Sequence, residues 1–204
     1  MDGFDRRKER KKDSIYQAAI ELFKAFGFRK VSIADIASKA GVSPTTIYNH
    51  FGTKEGLVRH VIRRLLEETV HKYWAIMDSD RPFLEKLDLI IFDKTELSRQ
   101  YEGELVQAVA SNDPVMQEYV ESMYQEAVKR LAAFFQEGKR LGYINPDVSQ
   151  EATLLYFDIL RRGFLAHPEV FQSPEHNAEL VRDLASLYMY GLMGRRNDSL
   201  QTQE

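Results

Sequence analysis

There is no cysteine among the 204 residues of this chain. That absence excludes disulfides, thiolate metal sites and cysteine nucleophiles together, and it suits a reducing cytoplasm. Long apolar runs are missing as well. None approaches the roughly 18 residues that would suggest a membrane span. The opening "MDGFDRRKERKK" is polar throughout, with no apolar segment behind its charges, so it does not read as a secretory signal. No stretch of useful length alternates apolar and polar residues with the period of a strand.

Signatures of catalysis are equally scarce. His50, His60, His71, His167 and His176 show no metal-ligating spacing, and His60 and His71, on a similar helical face, lie three turns apart. There is no glycine-rich phosphate loop, nucleophile elbow or HExxH pair. The expectation is a cytoplasmic chain with no catalytic residues, no metal, no cofactor and no membrane partner.

The charge that is present is divided sharply. Residues 1 to 64 hold 14 Lys/Arg against 7 Asp/Glu, whereas residues 65 to 204 hold 14 against 24. A net charge of −3 therefore conceals a basic N-terminal third on an acidic body, and such a division suggests that one end meets a polyanion.

Almost every segment carries helical periodicity. Ile15, Ala18, Ala19, Leu22, Phe23 and Phe26 form one apolar stripe, with Ser14 and Gln17 at capping-box spacing before it and Gly27 placed to end it. Short helices are predicted from Ser32 to near Gly41 and over "SPTTIYNHF" (residues 43–51), where Ser43 suits a cap and Pro44 the first helical position. A long helix starts at Thr53. Its wide stripe, from Leu57 through Trp74 to Met77, is broad enough to serve two cores. Further helices are predicted over 83–98, 102–111, 114–141, 149–166 and 175–193, and the end of the chain reads as a frayed tail.

Residues 32 to 51 read as one unit. Ile33, Ile36, Ala37 and Ala40 line one face, Gly41 permits a tight turn, Val42 fills the corner, and Ile47 and Phe51 face inward, with Leu22, Phe23 and Phe26 completing the core. Two short helices joined in this way on an amphipathic helix form a helix-turn-helix. The second helix of that motif enters the DNA major groove by its N-terminal residues. Thr45 and Thr46 suit contacts to bases, while Tyr48, Asn49 and His50 suit phosphates or bases. Ser43 opens the same helix. Thr53-Lys54 joins a helix N-terminus to a lysine, which is a site for phosphate, and Ser32 offers another.

The pieces "SIADIASKAGVS", "TIYNHF" and "TKEGL" within residues 15 to 66 resemble the TetR (tetracycline-repressor-like) family of bacterial transcriptional regulators. The resemblance implies an all-α fold: a three-helix DNA-binding domain over residues 1–52, a helical ligand-binding and dimerisation domain over 53–194, and a tail over 195–204. It also implies a homodimer on a pseudo-palindromic duplex operator, with Thr45, Thr46, Tyr48, Asn49, His50 and Lys54 at the DNA; the positions of Ser32 and Ser43 at helix starts add them to that set. A repressor responsive to an unknown small molecule is the reading. An activator, or a ligand-binding or protein-interaction module without operator binding, is the alternative.

The resemblance implies that the late apolar helices form the dimer interface, with Leu155, Ile159 and Gly163 on one and Leu184, Leu187, Tyr188 and Gly191 on the other; physically the same stripes could simply close the domain core. Asp158 has Arg161 and Arg162 at ion-pair spacing. Trp74, Phe92, Tyr119, Met123 and Phe157 are candidate lining for an effector pocket, since such pockets are mostly apolar.

Overall fold

The computed structural model describes residues 3–90, 113–167 and 174–193. Among these the elements are helices α1 (Gly3–Lys30), α2 (Ile33–Ala40), α3 (Pro44–Phe51), α4 (Lys54–Met77), α5 (described over 83–90), α6 (Pro114–Arg140), α7 (Gln150–Ala166) and α8 (Pro174–Met193). No described residue is in a strand. The predicted helix 102–111, the second half of 83–98 and the tail lie outside the described residues.

Local chemistry explains the boundaries. Ser32 and Asp35 close a full capping box at the start of α2, and Gly41 leaves that helix at φ 66°, a conformation open to glycine. Thr53 caps α4, Asp113 caps α6 and Ser149 caps α7, each side chain accepting from an otherwise unpaired amide of the first turn.

Two departures concern α1. It begins at Gly3, not at Ser14, whose hydroxyl instead donates back to the Lys11 carbonyl within the helix. The basic run before Ser14 is made of good helix formers and continues the helix upstream. At the other end Gly27 takes φ 80° and ψ 161°, interrupting the helix and changing its phase. Phe26 is therefore 60% exposed, and Phe28 and Val31 take the core positions that an unbroken stripe assigned to it.

Two apolar cores result. The first joins Ile15, Ala19 and Phe23 of α1 to Ile36 of α2, Ile47 of α3, Leu57, Val61 and Ile62 of α4, and Met116 of α6. The second gathers Phe83, Leu87, Phe134, Phe135 and Ile144, with Met77 packed against it. Helix α4 contributes to both, as its wide stripe predicts, and at 24 residues it spans about 36 Å. Its first turn is pressed onto α3: a methyl at Gly56 would collide with the Phe51 carbonyl. Its last carbonyls receive the buried ammonium of Lys86, which donates to Met77 at 2.9 Å.

Candidate nucleic-acid interface

Helix α3 has eight residues, too few to persist alone in water. It is held by its ends and one face. Ser43 accepts from the Thr46 amide at 3.1 Å, Ile47 is fully buried, and the Phe51 ring meets His60 of α4 at 5.1 Å between centroids. This leaves Thr45, Tyr48 and Asn49 exposed on one side, with Tyr48 49% accessible. Three side chains able to donate and accept thus stand on a rigid helix, which is the geometry of base and phosphate contact.

The other candidates are placed less openly. The Thr46 hydroxyl lies 2.9 Å from that of Ser43, so the two are hydrogen-bonded to each other, and Thr46 is only partly exposed. Ser32 donates its hydroxyl to Asp35 at 2.6 Å, and that bond holds the Asp35 carboxyl below its ordinary range. A carboxylate thus already occupies the N-terminus of α2. Lys54 is partly buried, and its ammonium donates to the Arg29 carbonyl at 3.3 Å, near the end of α1. His50 is partly buried, and burial, followed by Lys12, Lys8 and Lys11, lowers its pKa. It is therefore a neutral ring at pH 7, able to donate and to accept.

Polar ties bind α4 to its neighbours. Arg64 contacts Asp13 at 2.5 Å and lies over the Tyr16 ring, while Arg59 pairs with Asp113 at 2.9 Å, holding the start of α6. Tyr119 of α6 donates to Glu67 at 2.6 Å under the guanidinium of Arg63, and burial followed by Glu67 raises its pKa. None of these pairs is evident from spacing, since their members lie between 48 and 56 residues apart.

The described pocket candidates are spread over α4, α6 and α7. Trp74 lies under Arg130 at 4.6 Å, Tyr119 faces α4, and Phe157 stacks with Tyr124 at 6.4 Å. Met123 is partly buried on α6. Phe92 lies outside the described residues. An open groove of about 570 Å³ between α6 and α7 is lined by Tyr124, Gln125, Leu154, Leu155, Asp158 and Arg162 among others, and by none of the predicted set. The local ion pairs are as the spacing predicts: Asp158 lies 2.7 Å from Arg161 and 2.6 Å from Arg162. On the dimer candidates, Leu155, Ile159 and Leu187 are 58%, 55% and 64% exposed in the single chain. Gly163 is also exposed and Leu184 half-buried, whereas Tyr188 and Gly191 lie outside the residues whose exposure is described.

An all-helical chain with a capped, pinned second short helix and a row of polar side chains on it is a helix-turn-helix DNA-binding protein. The model of the bacterial regulatory proteins of the tetR family matches residues 15–61, which span α1 to the first half of α4. The HTH-type transcriptional repressor KstR2 of Mycolicibacterium smegmatis is 28% identical over 142 residues, 68% of this chain and 69% of that protein. KstR2 of Mycobacterium tuberculosis H37Rv is 25% identical over 181 residues, 89% of this chain and 78% of that one. The fold is similar to that of the fatty acid degradation regulator FadR from Bacillus halodurans, with a TM-score of 0.62 at 20% identity, covering 91% of this chain and 97% of that one. Residues 15–61 thus form a DNA-binding domain of the tetR family of bacterial regulatory proteins, and the chain is a transcriptional regulator.

Proposed function

We propose that the chain is a repressor that binds a pseudo-palindromic duplex operator as a homodimer and responds to a small-molecule effector. The observation that carries the DNA reading is α3, whose buried Ile47 and capped N-terminus fix a helix that exposes Thr45, Tyr48 and Asn49. In this reading Thr45 and Thr46 face bases, and Tyr48, Asn49 and His50 position the backbone. Ser32, Ser43 and Lys54 contribute at the edges, with Lys54 exchanging the Arg29 carbonyl for a phosphate.

The domain division falls at Gly52, so that α1–α3 read DNA and residues 53–194 dimerise and hold the effector. The exposed Leu155, Ile159 and Leu187, with Gly163, Leu184, Tyr188 and Gly191, form the face that meets a second copy. The effector lies among α4, α6 and α7 near Trp74, Tyr119, Met123 and Phe157, with Phe92. Helix α4 couples the two functions because it belongs to both cores.

Selection of fragments bound by the purified chain from genomic DNA tests this. Enrichment of one two-fold related sequence is expected, with affinity falling steeply as salt rises. Thr45→Ala should then relax the base preference, whereas Lys54→Ala should weaken all sequences alike. Binding without sequence preference would overturn the operator reading.

A further inference from the structure

The family match begins at residue 15, yet α1 begins at Gly3. Three extra helical turns therefore project ahead of the matched domain, and they carry Arg6, Arg7, Lys8, Arg10, Lys11 and Lys12. Helical phase sorts these cations. Lys8, Lys11, Lys12 and Ile15 stand at i, i+3, i+4 and i+7, so they share one side of the cylinder. Ile15 is fully buried in the core that also holds Ile47 of α3. The lysines thus continue, past the edge of that core, the same side of α1 that packs on the helix-turn-helix. Asp13, on a different side, turns to Arg64 of α4.

Lys8 and Lys11 are exposed and make no ion pair with any described residue; Lys12 pairs with Glu9 at 2.9 Å. All three bear electrostatically on His50, in the last turn of α3. The ridge therefore stands beside the C-terminal end of the recognition helix, the end remote from Thr45.

We propose that Lys8, Lys11 and Lys12 form a phosphate-contacting ridge that grips the DNA backbone flanking the groove entered by α3. The inference rests on the DNA-binding reading and extends its footprint beyond the family-matched residues. Its contribution is independent of sequence, because ammonium groups neutralise phosphates without reading bases. The ridge adds affinity and association rate, and α3 supplies the preference.

The test is anisotropy of a fluorescently labelled random-sequence duplex titrated with the full chain between about 50 and 200 mM salt. For Lys8→Gln/Lys11→Gln, the slope of log affinity against log salt should shrink by about 0.9 per lysine, or about 1.8 per bound subunit. Lys129→Gln/Arg140→Gln, which removes the same charge from α6, should leave the slope unchanged. A ridge variant with the slope of the unaltered chain overturns the proposal, as does an equal loss in the α6 variant, which would mark a general field. Failure of the unaltered chain to bind the duplex overturns the DNA-binding reading, and the ridge with it. Because both lysines are exposed, an unchanged melting temperature should accompany the altered slope.

Discussion

The helix-turn-helix end and the late helices distribute apolar surface in opposite ways. In α1–α4, Ile15, Ile36, Ile47, Leu57 and Val61 are fully buried within one chain, around helices as short as eight residues. In α7 and α8 the helices are 17 and 20 residues long, yet Leu155, Tyr156, Ile159 and Leu187 stand exposed. Short helices must be closed by their neighbours, because too few residues remain to tolerate a loose face. Long ones can hold an apolar stripe in reserve for a partner. One end is closed as a folding unit within the chain, and the other leaves an apolar stripe uncovered.

The largest expected effect lies at the closed end. Ile47→Ala should lower stability by about 2–5 kcal/mol, a large share of the roughly 5–15 kcal/mol typical of a domain. Urea unfolding followed by circular dichroism reads this directly. A change below about 1 kcal/mol would show that α3 is not held by its core contacts and would erase the contrast. Ile159→Asp, on the open face, should leave the monomer folded but weaken dimerisation by about 2 kcal/mol or more, roughly thirtyfold. Sedimentation velocity distinguishes the outcomes: an unaltered dimer means that the exposed stripe serves something else.

The smallest effect sharpens the closed end. The Nε2 of His60 is buried without a hydrogen-bond partner among the described residues, and burial, followed by Arg64 and Lys12, lowers its pKa. Arg63 acts in the same direction and Glu67 against it. The folded state thus resists protonating His60, while the unfolded chain takes up a proton near the ordinary histidine value of about 6.5. Stability should therefore be complete above that pH and decline as pH falls through it, levelling off below the folded value. His50, whose pKa is also lowered, adds to the same slope. His60→Phe should flatten the decline in pH-dependent thermal melts, and an unchanged slope would assign the effect to His50 alone.

These contrasts also explain which parts could be read in advance. Helices α2 and α3 were legible because their signals are local: Ser32 with Asp35, Ser43 with Pro44, and Gly41 act within a few residues. Ser14 misled for the same reason, since capping-box spacing carries no information about a polar helix continuing upstream. Phe26 misled because periodicity assumes one unbroken phase, and Gly27 resets it. The partners of Lys54, Arg59 and Tyr119 were invisible because each is made across tens of residues. Burial of Lys86 went unforeseen on the same account, its ammonium finding the end of α4 only in the folded chain. Pocket lining lies beyond composition for the same reason: aromatic residues mark a core, and only tertiary geometry decides whether any of them share a cavity.

The contact at Gly56 has a mechanical meaning. With no side chain between its first turn and the Phe51 carbonyl, α4 has no slack where it meets α3. Taken as a fulcrum, that junction leaves the rest of α4, from Gly56 to Met77, as a lever arm of about 32 Å. A tilt of about 5° corresponds to a displacement of about 3 Å at the far end of such an arm. Motion imposed near Met77 would be delivered to the recognition helix as rotation rather than absorbed at the joint. The absence of one methyl group at position 56 is thus what lets the two helices meet without play.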